Sequence, residues 1–423
     1  VSKRKPNVFK ALRALAVLIS VPLVVQFLVL RWIRTSPSED QTSSHQSIEP
    51  QVATSSNPET NVTLWDLLRA DARLSRFADV VGEHPDIVRG LAAPKAKLTV
   101  YAPTNEAFDK FYFPPDPPPF FGLFIAGYHM GPGVVPADRL ASVGTVSSFV
   151  NGDIFFDYKQ RISVQQKPDG TTTFNHEADY IPPSSDGAAP LVAANGLVHL
   201  IGGVLGLPNS TAHAIRTCPQ LSTLEMALRR TELAERVYNT NAHISQTVFA
   251  PTNAAFDRLG KPAKQFLFTR AGRPYLDAIL RFHVVENRTM FSDMYWPHGG
   301  APLIDLHALE ESEKEVSFNL PTLQPSQNIT VQSRKMHGGQ WKLHVFLCGD
   351  DDGVDVSVPD ILTMDGVVHL VDSLLLPPGS SSKPEEKSWL GRLFHGFWQG
   401  SGESIESLID RLEPYILDTE AAS

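Results

Sequence analysis

Four histidines stand out in this 423-residue chain as candidates for chemistry, because each recurs in a matching context. His129 lies in Gly127-Tyr128-His129-Met130 and His283 in Arg281-Phe282-His283-Val284. His199 closes Gly196-Leu-Val-His199, and His369 closes Gly366-Val-Val-His369. A histidine that binds a metal needs further His, Cys or carboxylate ligands at short spacing, and one that acts as a base needs a nucleophile within reach. Each of these four sits in an apolar stretch with no such neighbour, and neither HExxH nor GxSxG occurs in the chain. The expectation is four buried imidazoles bonded to backbone, with no catalytic residue, no metal site and no cofactor. The acidic run Cys348-Gly-Asp350-Asp351-Asp352-Gly353-Val-Asp355 looks like a calcium loop only at first. In the EF-hand register that ends at Gly353, position one falls on Cys348 and position twelve on Pro359, so carboxylates are missing where they are required. A solvated acidic turn is expected there. The two cysteines, Cys218 and Cys348, are too few for a zinc site. They leave two readings open, a bridge closing a long loop or two buried thiols.

The elements that must position the histidines are announced by a stretch the chain contains twice. Leu98 to Phe108 reads LTVYAPTNEAF, and Gln246 to Phe256 reads QTVFAPTNAAF. A β-branched and aromatic run before Pro-Thr-Asn, followed by apolar residues at helical spacing, predicts a strand, a sharp turn and a helix start. Thr104 or Asn105, and likewise Thr252 or Asn253, is the candidate N-cap. No base or nucleophile stands beside either copy, so the stretch reads as structural. The interval between corresponding landmarks grows from 148 residues (Ala102 to Ala250) to 154 (His129 to His283) and 170 (His199 to His369), so the second copy carries insertions. A period of this size is a globular domain rather than a solenoid repeat. Leu64, Leu67, Leu68, Leu74, Phe77, Val80 and Val81 follow helical spacing before the first strand, and Leu221, Leu224, Ala227, Leu228 and Leu233 do so before the second. Alternating segments such as Ile162-Ser-Val164, Thr171 to Phe174, Ile329-Thr-Val331 and Trp341 to Val345 then predict half-buried strands. Helices first and strands later give an α+β fold class.

The ordered triple of motifs resembles the fasciclin domain family, over about 320 residues on the expected domain size. The residues that carry it are Ala102, Pro103, Thr104, Asn105, Phe108, Tyr128, His129, Gly196 and His199 in residues 61–208. Ala250, Pro251, Thr252, Asn253, Phe256, Phe282, His283, Gly366 and His369 carry it in residues 212–378. The resemblance implies two tandem domains, each a β-sandwich wedge with helices packed around it, whose motif residues serve structure and adhesive surfaces. Two departures stand out. The first copy has the insertion Pro114-Pro115-Asp116-Pro117-Pro118-Pro119 before its Tyr-His, and the second has Phe282 in place of the tyrosine.

Composition and flanks set the context. A net charge of −9 without an internal basic cluster excludes a nucleic-acid partner. Ala14 to Leu30 is an uncharged run of 17 residues between Arg13 and Arg31, at the short end of the ~17–25 that span a bilayer. Lys3, Arg4, Lys5, Lys10 and Arg13 precede it and Arg31 and Arg34 follow, which predicts a cytoplasmic segment 1–13 and a signal anchor 14–32. Leu28-Val-Leu30-Arg31-Trp32 offers no small-residue cleavage site, so the anchor is expected to stay attached, in type II orientation. Residues 33–60, rich in Ser, Thr and Pro, read as a stalk. Sequons at Asn61, Asn209, Asn287 and Asn328 suit a lumenal or extracellular body, with Asn287 expected to be partly shielded. Residues 379–423 hold a linker and an amphipathic segment. Trp389, Leu390, Leu393, Phe394, Phe397 and Trp398 share one helical face, and Ile405, Leu408, Ile409 and Leu412 repeat it before Pro414. That face suits a membrane interface, the second domain or a partner. The functional expectation is a membrane-anchored glycoprotein mediating adhesion or matrix contact through an unidentified protein or glycan ligand. A lumenal scaffold or adaptor of an endomembrane compartment shares every one of these features. A carbohydrate-active enzyme would need a convergent carboxylate pair that no motif supplies.

Overall fold

The computed structural model describes residues 61–113, 117, 120–150, 160–183, 191–240, 245–297, 304–306, 315–336, 339–347, 352–378 and 404–417. The apolar run 14–30, the stalk 33–60 and the aromatic face Trp389 to Trp398 lie outside these residues. Among the described residues, no helix is long and apolar enough to cross a membrane. The chain divides into two compact units, with the main division between Leu207 and Pro208.

In the first unit three short helices, α1 (Leu64–Ala70), α2 (Ser75–Gly82) and α3 (Pro85–Leu91), precede the first strand. α1 starts on a capping box: the Thr63 hydroxyl accepts the Asp66 N–H, and the Asp66 carboxylate accepts the Thr63 N–H at 2.9 Å. Leu64, Leu68, Phe77, Val81, Ile87 and Leu91 turn inward, as their spacing requires. There follow β1 (Leu98–Pro103), α4 (Asn105–Lys110), α5 (Phe121–Tyr128), β2 (Met130–Pro132), α6 (Ala137–Leu140), β3 (Thr145–Ser147), β4 (Arg161–Gln166), β5 (Thr172–Phe174), β6 (Ala178–Ile181), β7 (Leu191–Ala193) and β8 (Gly196–Ile201). The sheet order is β2-β1-β8-β6-β5-β4-β3, with β7 also pairing β8. β1 and β8 run parallel, pairing Leu98 with Gly196 through Pro103 with Ile201.

The second unit repeats this plan with longer pieces. α7 (Thr211–Thr217), α8 (Ser222–Arg230) and α9 (Leu233–Tyr238) lead into β9 (Gln246–Pro251) and α10 (Asn253–Asp257). Two helices follow, α11 (Lys261–Leu267) and α12 (Arg273–Phe282), where the first unit has only α5. β10 (Val284–Glu286), β11 (Thr289–Met290), β12 (Met294–Trp296) and β13 (Ile304–Asp305) precede the long antiparallel strands β14 (Glu315–Pro321), β15 (Asn328–Lys335), β16 (Trp341–Leu347) and β17 (Val354–Thr363), and β18 (Gly366–Val371) returns parallel to β9. The main sheet order is β10-β9-β18-β17-β16-β15-β14. The extra helix and the lengthened strands account for the growing interval between landmarks. Apart from the central strands β1 and β9 and the short β2, the helices of residues 64–140 and 211–282 precede the run of mostly antiparallel strands in each unit, so the α+β reading holds.

The central parallel pair is buried on both faces, which is why its sequence is apolar throughout rather than alternating. Val248, Ala250, Val368 and Leu370 join the helical core with Leu224, Leu228 and Phe256. Phe249 and Val371 project the other way, into a second core with Leu320, Val331 and Val345. Two glycines permit this close pairing. A Cβ on Gly366 would lie 2.0 Å from the Gln246 carbonyl oxygen, and one on Gly196 would lie 2.1 Å from that of Leu98.

The amphipathic C-terminal segment is settled over its second half. A final helix, α13 (Ile405–Leu412), starts on Ser404, whose hydroxyl accepts the Ser407 N–H at 3.1 Å. Leu408 and Leu412 are fully buried in the helical core of the second unit. The Tyr415 ring meets Phe282 edge-on at 5.2 Å, Gln324 donates to the Tyr415 carbonyl at 2.9 Å, and Arg411 donates to the Pro377 carbonyl at 2.7 Å. Of the three surfaces expected for this stretch, it covers the second domain, whose core therefore extends beyond residue 378.

Candidate functional site

The histidines that open the strand-rich half of each unit do the same job twice. His129 ends α5: its Nδ1 donates to the Ile125 carbonyl at 2.7 Å, and its Nε2 accepts the Leu205 N–H at 2.9 Å. His283 ends α12: its Nδ1 donates to the Ile279 carbonyl at 2.8 Å, and its Nε2 accepts the Leu375 N–H at 3.0 Å. Each ring therefore ties a helix end to the segment leaving the last strand. Burial pushes both pKa values down to about 4, against a smaller upward pull from the backbone carbonyl. Both rings are neutral, and both nitrogens are occupied.

The second pair differs between units. His369 Nε2 donates to the Met290 carbonyl at 2.7 Å and its Nδ1 accepts the Asp360 N–H at 3.1 Å, while the ring stacks on Phe249 at 5.4 Å. Burial lowers its pKa to about 4. His199 keeps only half of this arrangement: Nε2 donates to the Val135 carbonyl at 2.7 Å, and the ring stacks on Tyr101 and meets Tyr180 edge-on. Burial lowers its pKa as well. It lines a cavity of 230 Å³ whose wall includes Tyr180, Ile181, Leu191, Leu197 and Pro136, with Arg73 at its rim. Among the described residues, no group of His, Cys, Asp and Glu is placed to hold a metal ion.

The repeated turns resolve the choice of cap. Thr104 accepts the Ala107 N–H and Thr252 the Ala255 N–H, each at 3.3 Å, so threonine caps α4 and α10. The asparagines cap other helices. Asn105 Oδ1 accepts the Arg76 N–H at 3.0 Å, and its Nδ2 donates to the Ala72 carbonyl at 2.9 Å. Asn253 Oδ1 accepts the Thr223 N–H at 2.9 Å, and its Nδ2 donates to the Pro219 carbonyl at 3.0 Å. The residues before α2 and α8, Leu74 and Leu221, have no side chain able to cap, and the asparagine supplies it from the turn. Ala102, Pro103, Ala250, Pro251, Phe108 and Phe256 are buried around these turns.

The Tyr128 hydroxyl donates to the Arg161 carbonyl at 2.8 Å and accepts from Asn175 Nδ2 at 2.9 Å. Phe282 cannot make these bonds and packs against Tyr415 instead. Two structural residues escaped the sequence reading. Asn195, 1% exposed, takes the Leu64 N–H and donates to the Leu91 and Ala93 carbonyls. Asp365, fully buried, takes the Thr211 N–H at 2.8 Å and is bonded by Gln246. Their positions, immediately before Gly196 and Gly366, were the available signal.

The remaining candidates are peripheral. Asn61, Asn209, Asn287 and Asn328 are all exposed; Asn287 sits at φ +55 in a tight turn, so the expected shielding is not found. Cys218 is a half-buried free thiol beside the helical core, and Cys348 lies outside the described residues. Of the acidic run, Asp355 and the Asp352 carbonyl both bond to His344.

The sequence matches the fasciclin domain over residues 72–208 and again over 219–377. It is 55% identical to the aurofusarin biosynthesis cluster protein S of Gibberella zeae over 420 residues, 98% of this chain and 99% of that one. Human periostin is 27% identical over 44% of this chain and 18% of its own length, and fasciclin-1 of Schistocerca americana 25% over 45% and 26%. Among solved structures, a FAS1 domain pair from the insect cell adhesion molecule fasciclin I is similar at a TM-score of 0.37 and 17% identity, covering 72% of this chain and 97% of that one. The chain belongs to the fasciclin domain family.

Proposed function

We propose that the chain is a non-catalytic interaction protein, a tandem fasciclin pair held by its N-terminal apolar run on the extracytoplasmic side of a membrane. The observation that carries this reading is the fate of the recurring histidines. His129, His283 and His369 have both ring nitrogens bonded to backbone, leaving no lone pair for a metal or a proton transfer. What remains is surface. The exposed asparagines of all four sequons suit glycan transfer in a secretory compartment, and the charge pattern around residues 14–30 suits a type II anchor. Expression of the full chain, glycosidase treatment and protease protection of sealed vesicles test this together. The expected result is a mass loss on deglycosylation, a protected body and no release by alkaline carbonate. An unglycosylated body cut from the cytosolic face would refute the topology.

A specific relative favours one partner class over adhesion to a matrix. Aurofusarin biosynthesis cluster protein S is similar along the whole chain and is named for a biosynthetic cluster. Without chemistry of its own, a protein in such a setting acts by holding enzymes together, so the adaptor reading is preferred to matrix adhesion. Proximity labelling from a C-terminal tag should mark biosynthetic enzymes; labelling confined to wall or matrix proteins would return the reading to adhesion.

A further inference from the structure

The acceptor motif Asn-x-Ser/Thr includes the hydroxyl two residues beyond the asparagine, so an enzyme that transfers a glycan must read that hydroxyl as well as the amide. An exposed asparagine is therefore only half of a usable site. At Asn209 the hydroxyl belongs to Thr211, which is fully buried. It donates to Asp365 Oδ1 at 2.9 Å and lies 3.0 Å from the Thr363 hydroxyl, while the Thr211 N–H donates to the same carboxylate at 2.8 Å. The Asn209 carbonyl accepts the Met364 N–H at 2.8 Å, so the whole sequon is fixed to the turn between β17 and β18. At Asn287 the hydroxyl belongs to Thr289, also fully buried, which donates to the Ser245 hydroxyl at 2.9 Å and pairs with Trp296 in the next strand. The Asn287 N–H donates to the Ser245 carbonyl at 2.7 Å. Asn61 is different. Its Thr63 is half-buried, and the hydroxyl donates at 2.7 Å to Asp66, an exposed residue three positions on, so it comes free without opening a core. Asn328 stands between the two classes, since Thr330 is half-buried while Ile329 beside it is fully buried and paired with Leu320 and Leu347.

We propose that glycan transfer to Asn209 and Asn287 is gated by folding: the unfolded second unit is the acceptor and the folded unit refuses the reaction, whereas Asn61 accepts in either state. Transfer breaks the bond from the anomeric carbon to the pyrophosphate oxygen of a lipid-linked oligosaccharide and forms one from that carbon to the asparagine Nδ2. The lipid pyrophosphate leaves, and one amide proton passes to solvent. Handing Thr211 or Thr289 to an enzyme strips a hydrogen bond from Asp365 or Ser245, both fully buried, which the native unit permits only in rare open states. The asparagine side chains are exposed, so a glycan added early is tolerated by the finished fold. Occupancy at the two sites thereby records whether transfer outran folding. Its occurrence in a cell rests on the extracytoplasmic placement proposed above, but the gate belongs to the fold and is measured without a membrane side.

Full chain made in bacteria that lack glycan transfer, purified in mild detergent, is incubated with an oligosaccharyltransferase and a lipid-pyrophosphate-linked oligosaccharide, and each site is read by peptide mass spectrometry. Short peptides spanning the sequons give the rate of the open acceptor. The expected result is transfer to Asn61 of the folded chain close to its peptide rate, with Asn209 and Asn287 slowed about a hundred-fold or more, as access through rare opening requires. Gly366→Ala, whose added Cβ would lie 2.0 Å from the Gln246 carbonyl oxygen, should speed transfer to both sites of the second unit and leave Asn61 unchanged. Transfer to Asn209 or Asn287 of the folded chain at the peptide rate, equal slowing at Asn61, or no gain at either site in Gly366→Ala would overturn the assignment.

Discussion

His283 Nε2 accepts the Leu375 N–H at 3.0 Å, so a ring at the end of α12 holds the chain as it leaves the last strand of its sheet. The bond requires a neutral imidazole, and burial enforces one by lowering the pKa to about 4. His369, in the same unit, is lowered to the same value. In the unfolded chain each returns to ~6.5. Above that value neither state is protonated and the pair leaves stability unchanged. As pH falls below it, the unfolded state takes up protons the folded state refuses, and stability drops by up to ~1.4 kcal/mol per pH unit per histidine until pH nears the folded value. Urea midpoints between pH 7 and 5 should fall in this way, and His283→Gln should make the fall shallower. A flat profile would contradict the buried neutral rings.

The same geometry bears on metals. With both nitrogens of His129, His283 and His369 bonded to backbone, chelation should leave the thermal unfolding midpoint unchanged. Zinc held by any of these three histidines would require one of these backbone bonds to be absent.

Asn253 caps α8 from across the turn, so its loss is felt in a helix 30 residues earlier. Asn253→Ala should destabilise the second unit by about 1–2 kcal/mol, since it removes a cap acceptor and a donor to Pro219. Increased hydrogen exchange in the first turn of α8, rather than in α10, is the signature to look for. An effect confined to α10 would put the asparagine back in the local cap.

How far the fold was legible depended on the range of the interactions. The turn after β1 and β9 is local chemistry, so Pro-Thr-Asn and the apolar residues after it announce strand, cap and helix. That asparagine rather than threonine would reach back to α2 and α8 depends on packing between segments some 30 residues apart, and no local pattern encodes it. Asn195 and Asp365 were missed for the same reason, since each joins a strand end to a helix start more than 100 residues away. The cavity at His199 was hidden because the two Gly-x-Val-His copies look alike; what differs is the partner strand.

Glycine substitutions separate two kinds of constraint. Gly170 has φ +84 with nothing near an added Cβ, so Gly170→Ala should cost about 1 kcal/mol through backbone strain alone. At Gly366 the added carbon would meet the Gln246 carbonyl at 2.0 Å and force the central parallel pair apart. Gly366→Ala should cost several times more, on the order of 3 kcal/mol or greater, read as a collapse of the second unit's unfolding midpoint. Equal effects at the two positions would show that the pair can separate without loss.

The C-terminal helix gives the sharpest test of where the second domain ends. Leu408 and Leu412 are fully buried among residues of the α8 to α12 layer, so α13 closes the core and its apolar face is not free for a bilayer. Leu408→Ala should cost ~2–5 kcal/mol, the range for removing a leucine from a packed interior. Truncation after Pro378 should cost more, because Phe282 also loses the Tyr415 ring and Gln324 its carbonyl acceptor. A helix that belonged to a membrane would behave otherwise: Leu408→Ala would weaken vesicle binding and leave unfolding of the purified body unchanged. Amide exchange decides between them, since α13 should be protected in step with α12 in detergent-free solution, and rapid exchange across Leu408 to Leu412 would remove the helix from the core.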